Sequence, residues 1–120
     1  MTYSIVIPAY NESVRIRPTL HALLRHLQEQ NWDAEILVVN DGSSDDTAQI
    51  VREYGKSYPQ VLLVENPGNR GKGYSVRNGM LHARGDICLF TDADLSSPIT
   101  EAQKLFELVA GEAPYQAGEA

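Results

Sequence analysis

Four short apolar runs, each followed by a stretch of helical character, constrain this chain more than any other feature. Tyr3–Pro8 (YSIVIP), Glu35–Asn40 (EILVVN), Val61–Glu65 (VLLVE) and Asp86–Thr91 (DICLFT) are continuous in apolar character and rich in Val, Ile or Leu. Strands covered on both faces read this way. Between the first two, Ile16, Leu20, Leu23, Leu24 and Leu27 recur at helical spacing, with His21, Arg25 and Gln28 on the opposite face. Pro18 fits such a helix only in its first turn.

The second helix is expected to start near SSDDT. Ser44 would be its N-cap, Asp45 and Asp46 would favour its positive end, and Ile50, Val51 and Tyr54 would face inward. A third helix spans Tyr74–Arg84 and stops at Gly85. A fourth opens with Ser97 as cap and Pro98 at its first position, and Ala102, Leu105, Phe106 and Val109 form its buried stripe. Alternation of this kind predicts an α/β fold: an open, mostly parallel sheet with flanking helices and right-handed crossovers. At 120 residues the chain suits one domain, placed here over residues 3–110, with 111–120 expected to be a disordered tail.

Composition removes several function classes. A formal net charge of −6 argues against nucleic acid, whose phosphates are neutralised by Lys and Arg. Cys88 is the single cysteine and falls within ICLF, where a buried structural thiol is expected. No run approaches the roughly eighteen apolar residues of a membrane span, and no basic segment precedes the first apolar run as in a signal peptide. A cytoplasmic location is the expectation. His21, His26 and His82 sit on helices without ligand spacing and read as surface residues. No Ser-His-Asp or Cys-His arrangement is suggested, so no catalytic residue is assigned.

Ligands of open α/β sheets sit beyond the carboxyl ends of the strands. The first strand here is followed by Pro8, Ala9, Tyr10, Asn11 and Glu12, and the second by Asp41, Gly42 and Ser43. The third is followed by NPGNRGKG and the fourth by Asp92 and Asp94. All the unusual chemistry therefore falls on one rim.

Two carboxylates at i and i+2 can share a side, and a divalent cation such as Mg²⁺ relieves their repulsion while keeping positions for substrate phosphates. Taken alone, Asp92 and Asp94 read equally well as turn formers ahead of the helix capped by Ser97. Residues 66–85 carry Arg70, Lys72, Arg77 and Arg84 and no acid, with Gly71 and Gly73 flanking Lys72 ahead of a helix start. That suits anionic oxygens held near backbone N–H groups. A flexible loop with solvated basic residues explains the glycines but not their place beside the acidic pair. Asp41 can accept from a base N–H or a ribose hydroxyl, and can also form an Asx-turn with Gly42. Glu12 either orients a base-contacting backbone or pairs with Arg70 or Arg15. Tyr10 would flank a base or be an ordinary exposed tyrosine.

In this order, IVIPAYNE, VVNDGSSDDT, NRGKGYSVRNGM and FTDADLSSP resemble family-2 glycosyltransferases of the GT-A fold, a Rossmann-like nucleotide-diphospho-sugar architecture. The flavour is similar to polyprenyl- or dolichyl-phosphate hexosyltransferases. The resemblance covers about residues 3 to 110 and implies metal-dependent, inverting transfer of a hexosyl unit from UDP-glucose or GDP-mannose to an acceptor, with a lipid phosphate the favoured class. It implies that Pro8, Ala9, Tyr10, Glu12 and Asp41 surround the nucleoside and that Gly71 and Lys72 approach the diphosphate; the charge of the departing diphosphate adds Arg70 beside Lys72. It further implies that Asp92 engages ribose or metal and that Asp94 is the preferred direct ligand of Mg²⁺ or Mn²⁺. Peripheral association with a membrane surface or a homo-oligomer is compatible with it. Inversion usually needs a base to activate an acceptor hydroxyl, but a lipid phosphate is already anionic. Family members continue into an acceptor-binding half, so this chain is expected to hold the donor site without efficient turnover by itself, the binding-only fragment being the alternative reading.

Other classes fit poorly. A receiver domain needs an acidic pair after its first strand and an aspartate after its third, where this chain has PAYNE and NPG. A haloacid-type phosphatase places Thr or Val where Ser96 stands. Neither a Walker loop nor a G-x-G-x-x-G after the first strand is present, and a nucleotidyltransferase would need a glycine-rich loop in place of PAYNE.

Overall fold

A computed structural model describes residues 2–91 of the chain. They run β1 (Tyr3–Ala9), α1 (Ile16–Gln30), β2 (Ala34–Asn40), α2 (Thr47–Ser57), β3 (Val61–Glu65), α3 (Lys72–His82) and β4 (Ile87–Phe90). The four strands form one parallel sheet in the order β3-β2-β1-β4, as the alternation of elements predicts. The helix expected from Ser97, Asp92, Asp94 and residues 111–120 lie outside the described residues.

Side-chain parity sorts the two faces. Ile5, Ile7 and Ala9 of β1, Ile36 and Val38 of β2 and Ile87 and Leu89 of β4 join Ile16, Leu20, Leu23 and Leu27 of α1 and Ile50 and Val51 of α2 in the larger core. The intervening Val6, Leu37, Val39, Val64 and Cys88 form a smaller core on the other face, against Met80 of α3. Each fully buried aliphatic side chain contributes about 2 kcal/mol of transfer free energy, so the larger core carries most of the stabilisation. Cys88 is buried as expected, and burial followed by the nearby Glu35 charge pushes its thiol up to about 11. That keeps it protonated and unreactive at neutral pH.

The chain steps outward from β1 to β2 to β3, then returns through α3 to place β4 on the other side of β1. The strand order thus reverses beside β1, and the crevice at such a reversal is where open sheets bind ligands. At that end Thr91 N–H donates to Val6 O at 3.1 Å, so β4 delivers the chain to the same rim as Pro8–Tyr10.

Four local expectations need correction. Helix α3 begins at Lys72, not Tyr74, and ends at His82 before an extended Ala83. Gly85 is no helix cap; a Cβ there would come within 2.6 Å of the Tyr3 carbonyl carbon and 2.7 Å of Ser4 N, so glycine permits close passage beside β1. Ser44 does not cap α2: Asp45 accepts the Thr47 N–H at 3.0 Å and also its hydroxyl. His26 is buried at 5% exposure, because it lies three residues after Leu23 on the inward face of α1, whereas His21 and His82 are exposed.

Candidate functional site

The rim is built from loops that hold one another. Asn11 adopts a left-handed backbone (φ 52°), a conformation asparagine tolerates better than most residues. Its N–H donates to Ser43 Oγ at 2.9 Å, and its side-chain oxygen accepts the Ser44 N–H at 2.8 Å. Glu12 N–H donates to Thr47 Oγ1 at 3.0 Å, and Ser13 N–H to Asp45 Oδ2 at 3.2 Å. The loop after β1 is thereby latched to the loop after β2, which leaves Tyr10 half exposed at the surface (50%). Pro8 is partly buried and Ala9 buried at the strand end. Glu12 pairs with Arg15 at 3.3 Å, settling that choice against Arg70.

Asp41 organises the other side of the rim. It follows Leu37 and Val39 in pleat parity, so its carboxylate turns toward the α3 face, where it is 5% exposed. Oδ1 accepts the Arg70 N–H at 2.7 Å and the Asn66 amide at 2.8 Å. Oδ2 accepts the Gly71 N–H at 2.9 Å and the Asn69 amide at 3.3 Å. Burial pushes this carboxyl up, but the donors from Arg70, Asn66 and Gly71, with the Arg70 charge, outweigh it and hold Asp41 below the usual carboxylate range. Beside it, Ser43 N–H donates to Asn40 Oδ1 at 3.2 Å, a side-chain bond that closes the turn after β2.

This bonding explains the early start of α3. Gly71 is its N-cap, at φ 97°, where a side chain would strain the backbone. Its N–H is drawn to Asp41 while its carbonyl accepts both the Ser75 N–H at 3.1 Å and the Ser75 hydroxyl at 3.0 Å. Lys72 becomes the first helical residue, exposed at the positive end of the helix. Arg70, Arg77 and Arg84 are exposed too, and Arg70 Nε donates to Pro67 O within its own loop at 2.9 Å. Gly42 allows this loop to approach: a Cβ there would meet Asn69 N at 2.7 Å.

The structure therefore brings Pro8, Ala9, Tyr10, Glu12, Asp41, Arg70, Gly71 and Lys72 to one rim, while Asp92 and Asp94 fall beyond Thr91 and outside the described residues. Among the described residues no group of three or more His, Cys, Asp or Glu side chains is placed to hold a metal ion. Asn66, Ser75 and Asn78 escape the sequence reading. Asn66 alternates with Leu62 and Val64, which aims it at the Asp41 face, and Ser75 pairs with Gly79 at i,i+4 on the inward side of α3; both signals are present in the sequence. A groove of about 510 Å³ lies at the opposite end of the sheet between Arg25, Trp32, Tyr58 and Gln60. It is far from the carboxyl ends of the strands, so the rim is the candidate.

Known proteins resemble this chain in both sequence and fold. The family model for "Glycosyl transferase family 2" matches residues 4–116. A dolichyl-phosphate beta-glucosyltransferase of Trichomonas vaginalis is 45% identical over 109 residues, covering 85% of this chain and 32% of that protein. Among solved structures, a mannosyltransferase from Pyrobaculum calidifontis in complex with GDP-Man and Mn²⁺ superposes with a TM-score of 0.67 at 32% identity, over 77% of this chain and 27% of that one. TarS 1-349 of S. aureus in complex with UDP-GlcNAc gives 0.69 at 25% identity, over 92% and 32%. The chain spans about a third of the length of the curated relatives it matches. No helix among the described residues is long and apolar enough to cross a membrane.

Proposed function

Because the chain belongs to glycosyl transferase family 2, we propose that its rim binds a nucleoside-diphosphate sugar and serves hexosyl transfer to a lipid phosphate of the polyprenyl or dolichyl class. The carrying observation is the Asp41 carboxylate, which joins the end of β2 to the backbone of Arg70 and Gly71 and so couples the nucleoside side of the rim to its basic side. Pro8, Ala9, Tyr10, Glu12 and Asp41 line the nucleoside side. Arg70, Gly71 and Lys72 form the diphosphate side, where positive charge opposes the negative charge that develops on the departing group. Glucosyl transfer by the Trichomonas relative favours UDP-glucose over GDP-mannose as donor.

The donor chemistry of Asp92 and Asp94 fits a hard divalent cation, with Asp94 as direct ligand and Asp92 shared between ribose and metal. When bound, Mg²⁺ or Mn²⁺ supplies charge neutralisation at the diphosphate. The chain's own contribution is orientation: the latched loops hold the nucleoside, and α3 presents its N-terminus and Lys72 to the phosphates. A lipid-phosphate acceptor is consistent with work at a membrane surface. Calorimetric titration with UDP and GDP, with and without Mn²⁺, tests the reading. Saturable, Mn²⁺-strengthened binding of one nucleotide is expected; absence of binding by either, with metal present, would remove the donor site.

A further inference from the structure

We infer that Asn66 is a positioning residue for the donor: acting through Asp41 and Ser75, it holds the Arg70–Gly71 backbone in the shape the diphosphate meets. The inference rests on the donor-site reading above.

Asn66 directly follows β3, and its side chain is buried at 7% exposure. Its amide nitrogen donates to Asp41 Oδ1 and to Ser75 Oγ, both at 2.8 Å, and its amide oxygen accepts from the Asn78 amide at 2.8 Å. An ionised carboxylate only accepts, so the nitrogen edge must be the one facing Asp41, which leaves the oxygen for Asn78. The two residues that hold Gly71 are thus both held by Asn66. Asp41 grips the Gly71 N–H at 2.9 Å, and the Ser75 hydroxyl grips its carbonyl at 3.0 Å. The backbone of Asn66 is anchored as well, its N–H donating to Asn40 O at 3.0 Å.

A hydrophobic residue in this place would fill the volume but leave Asp41 short of a donor and Ser75 short of one too, at a low-dielectric site where such losses are costly. Asn66 lies behind the loop, between the sheet and α3, so its effect on a ligand passes through the groups it holds. The arrangement spans β2, β3, the basic loop and α3 with one side chain.

The test uses the 120-residue chain, with UDP and Mn²⁺ as the probe. Asn66→Ala should weaken UDP binding about tenfold and speed amide exchange at Arg70 and Gly71 about tenfold, while exchange in β1 and β2 stays unchanged. In an Asp41→Ala background the same substitution should weaken binding by clearly less than the tenfold it costs alone, because the Asp41 branch of its route is already cut and only the Ser75 branch remains. Asn78→Ala frees the amide oxygen without emptying the buried site, and should give the same pattern in weaker form if Asn66→Ala does not fold. Fully additive losses in the double variant, or unchanged exchange at Arg70 and Gly71 in both single variants, would overturn the inference. The exchange arm needs no ligand: a chain that binds neither UDP nor GDP overturns the donor reading, while protection of Arg70 and Gly71 still decides the role of Asn66.

Discussion

The Asp41 carboxylate accepts the backbone N–H of Arg70 at 2.7 Å across 29 residues of sequence, joining the end of β2 to a loop whose residues 67–71 are exposed. Asp41→Ala leaves the Arg70 and Gly71 N–H groups and the Asn66 amide without this acceptor. A stability loss of about 3 kcal/mol is expected, from hydrogen bonds to a charged group that cannot be replaced in the buried site. Chemical denaturation measures it, and a loss below about 0.5 kcal/mol, the range of an ordinary surface substitution, would contradict the bracing role.

Acid should expose the same bond. Burial pushes the Asp41 and Asp45 carboxyls up, yet hydrogen bonds more than compensate and both end below their ordinary range. A carboxyl whose folded-state value lies under the unfolded value of about 3.9 adds stability that is complete well above that pH and is lost as pH falls through the folded value. The melting temperature should therefore fall as pH drops below about 4. The gap between the native chain and Asp41→Asn should narrow over that fall. A gap that widens on acidification would show the opposite shift.

Gly79 should invert the usual helix rule. Replacing glycine by alanine in a helix ordinarily gains up to about 1 kcal/mol. Here a Cβ would sit 2.4 Å from Val6 Cγ1 and 3.1 Å from Val39 Cγ2, in the smaller core. Gly79→Ala should destabilise by about 2 kcal/mol as α3 is pushed off the sheet. A raised melting temperature would mean that α3 sits less tightly than these distances say.

Asp94→Ala should remove the Mn²⁺-dependent gain in nucleotide affinity and leave the melting temperature near that of the native chain. Calorimetry with UDP, with and without the metal, reads this directly. An undiminished metal effect would take Asp94 out of the ligand set.

Much of the fold is legible in the sequence because the deciding pattern has period two. Val6, Leu37, Val39, Val64 and Cys88 take one face and their neighbours the other, and the same parity puts Asp41 and Asn66 together. The rim is legible from the polar and glycine-rich residues just past the end of each strand. Bonds between distant segments are not. The start of α3 at Lys72 depends on Gly71 being drawn to Asp41, and local helix signals contain nothing of that contact. Gly85 looks like a helix stop because glycine often is one, whereas its reason lies in the Tyr3 backbone. His26 reads as a surface residue on type alone, although its spacing from Leu23 already places it inward.

Paramagnetic broadening by Mn²⁺ in the presence of UDP tests the central claim most directly, since it reports which amides lie near one bound ion. Broadening is expected at residues 9–12, 41–43 and 70–73 together, with Trp32 and Tyr58 at the opposite end of the sheet left sharp. Broadening that reached only one of those three loops, or that centred on the Trp32 groove, would contradict a single site shared by all of them.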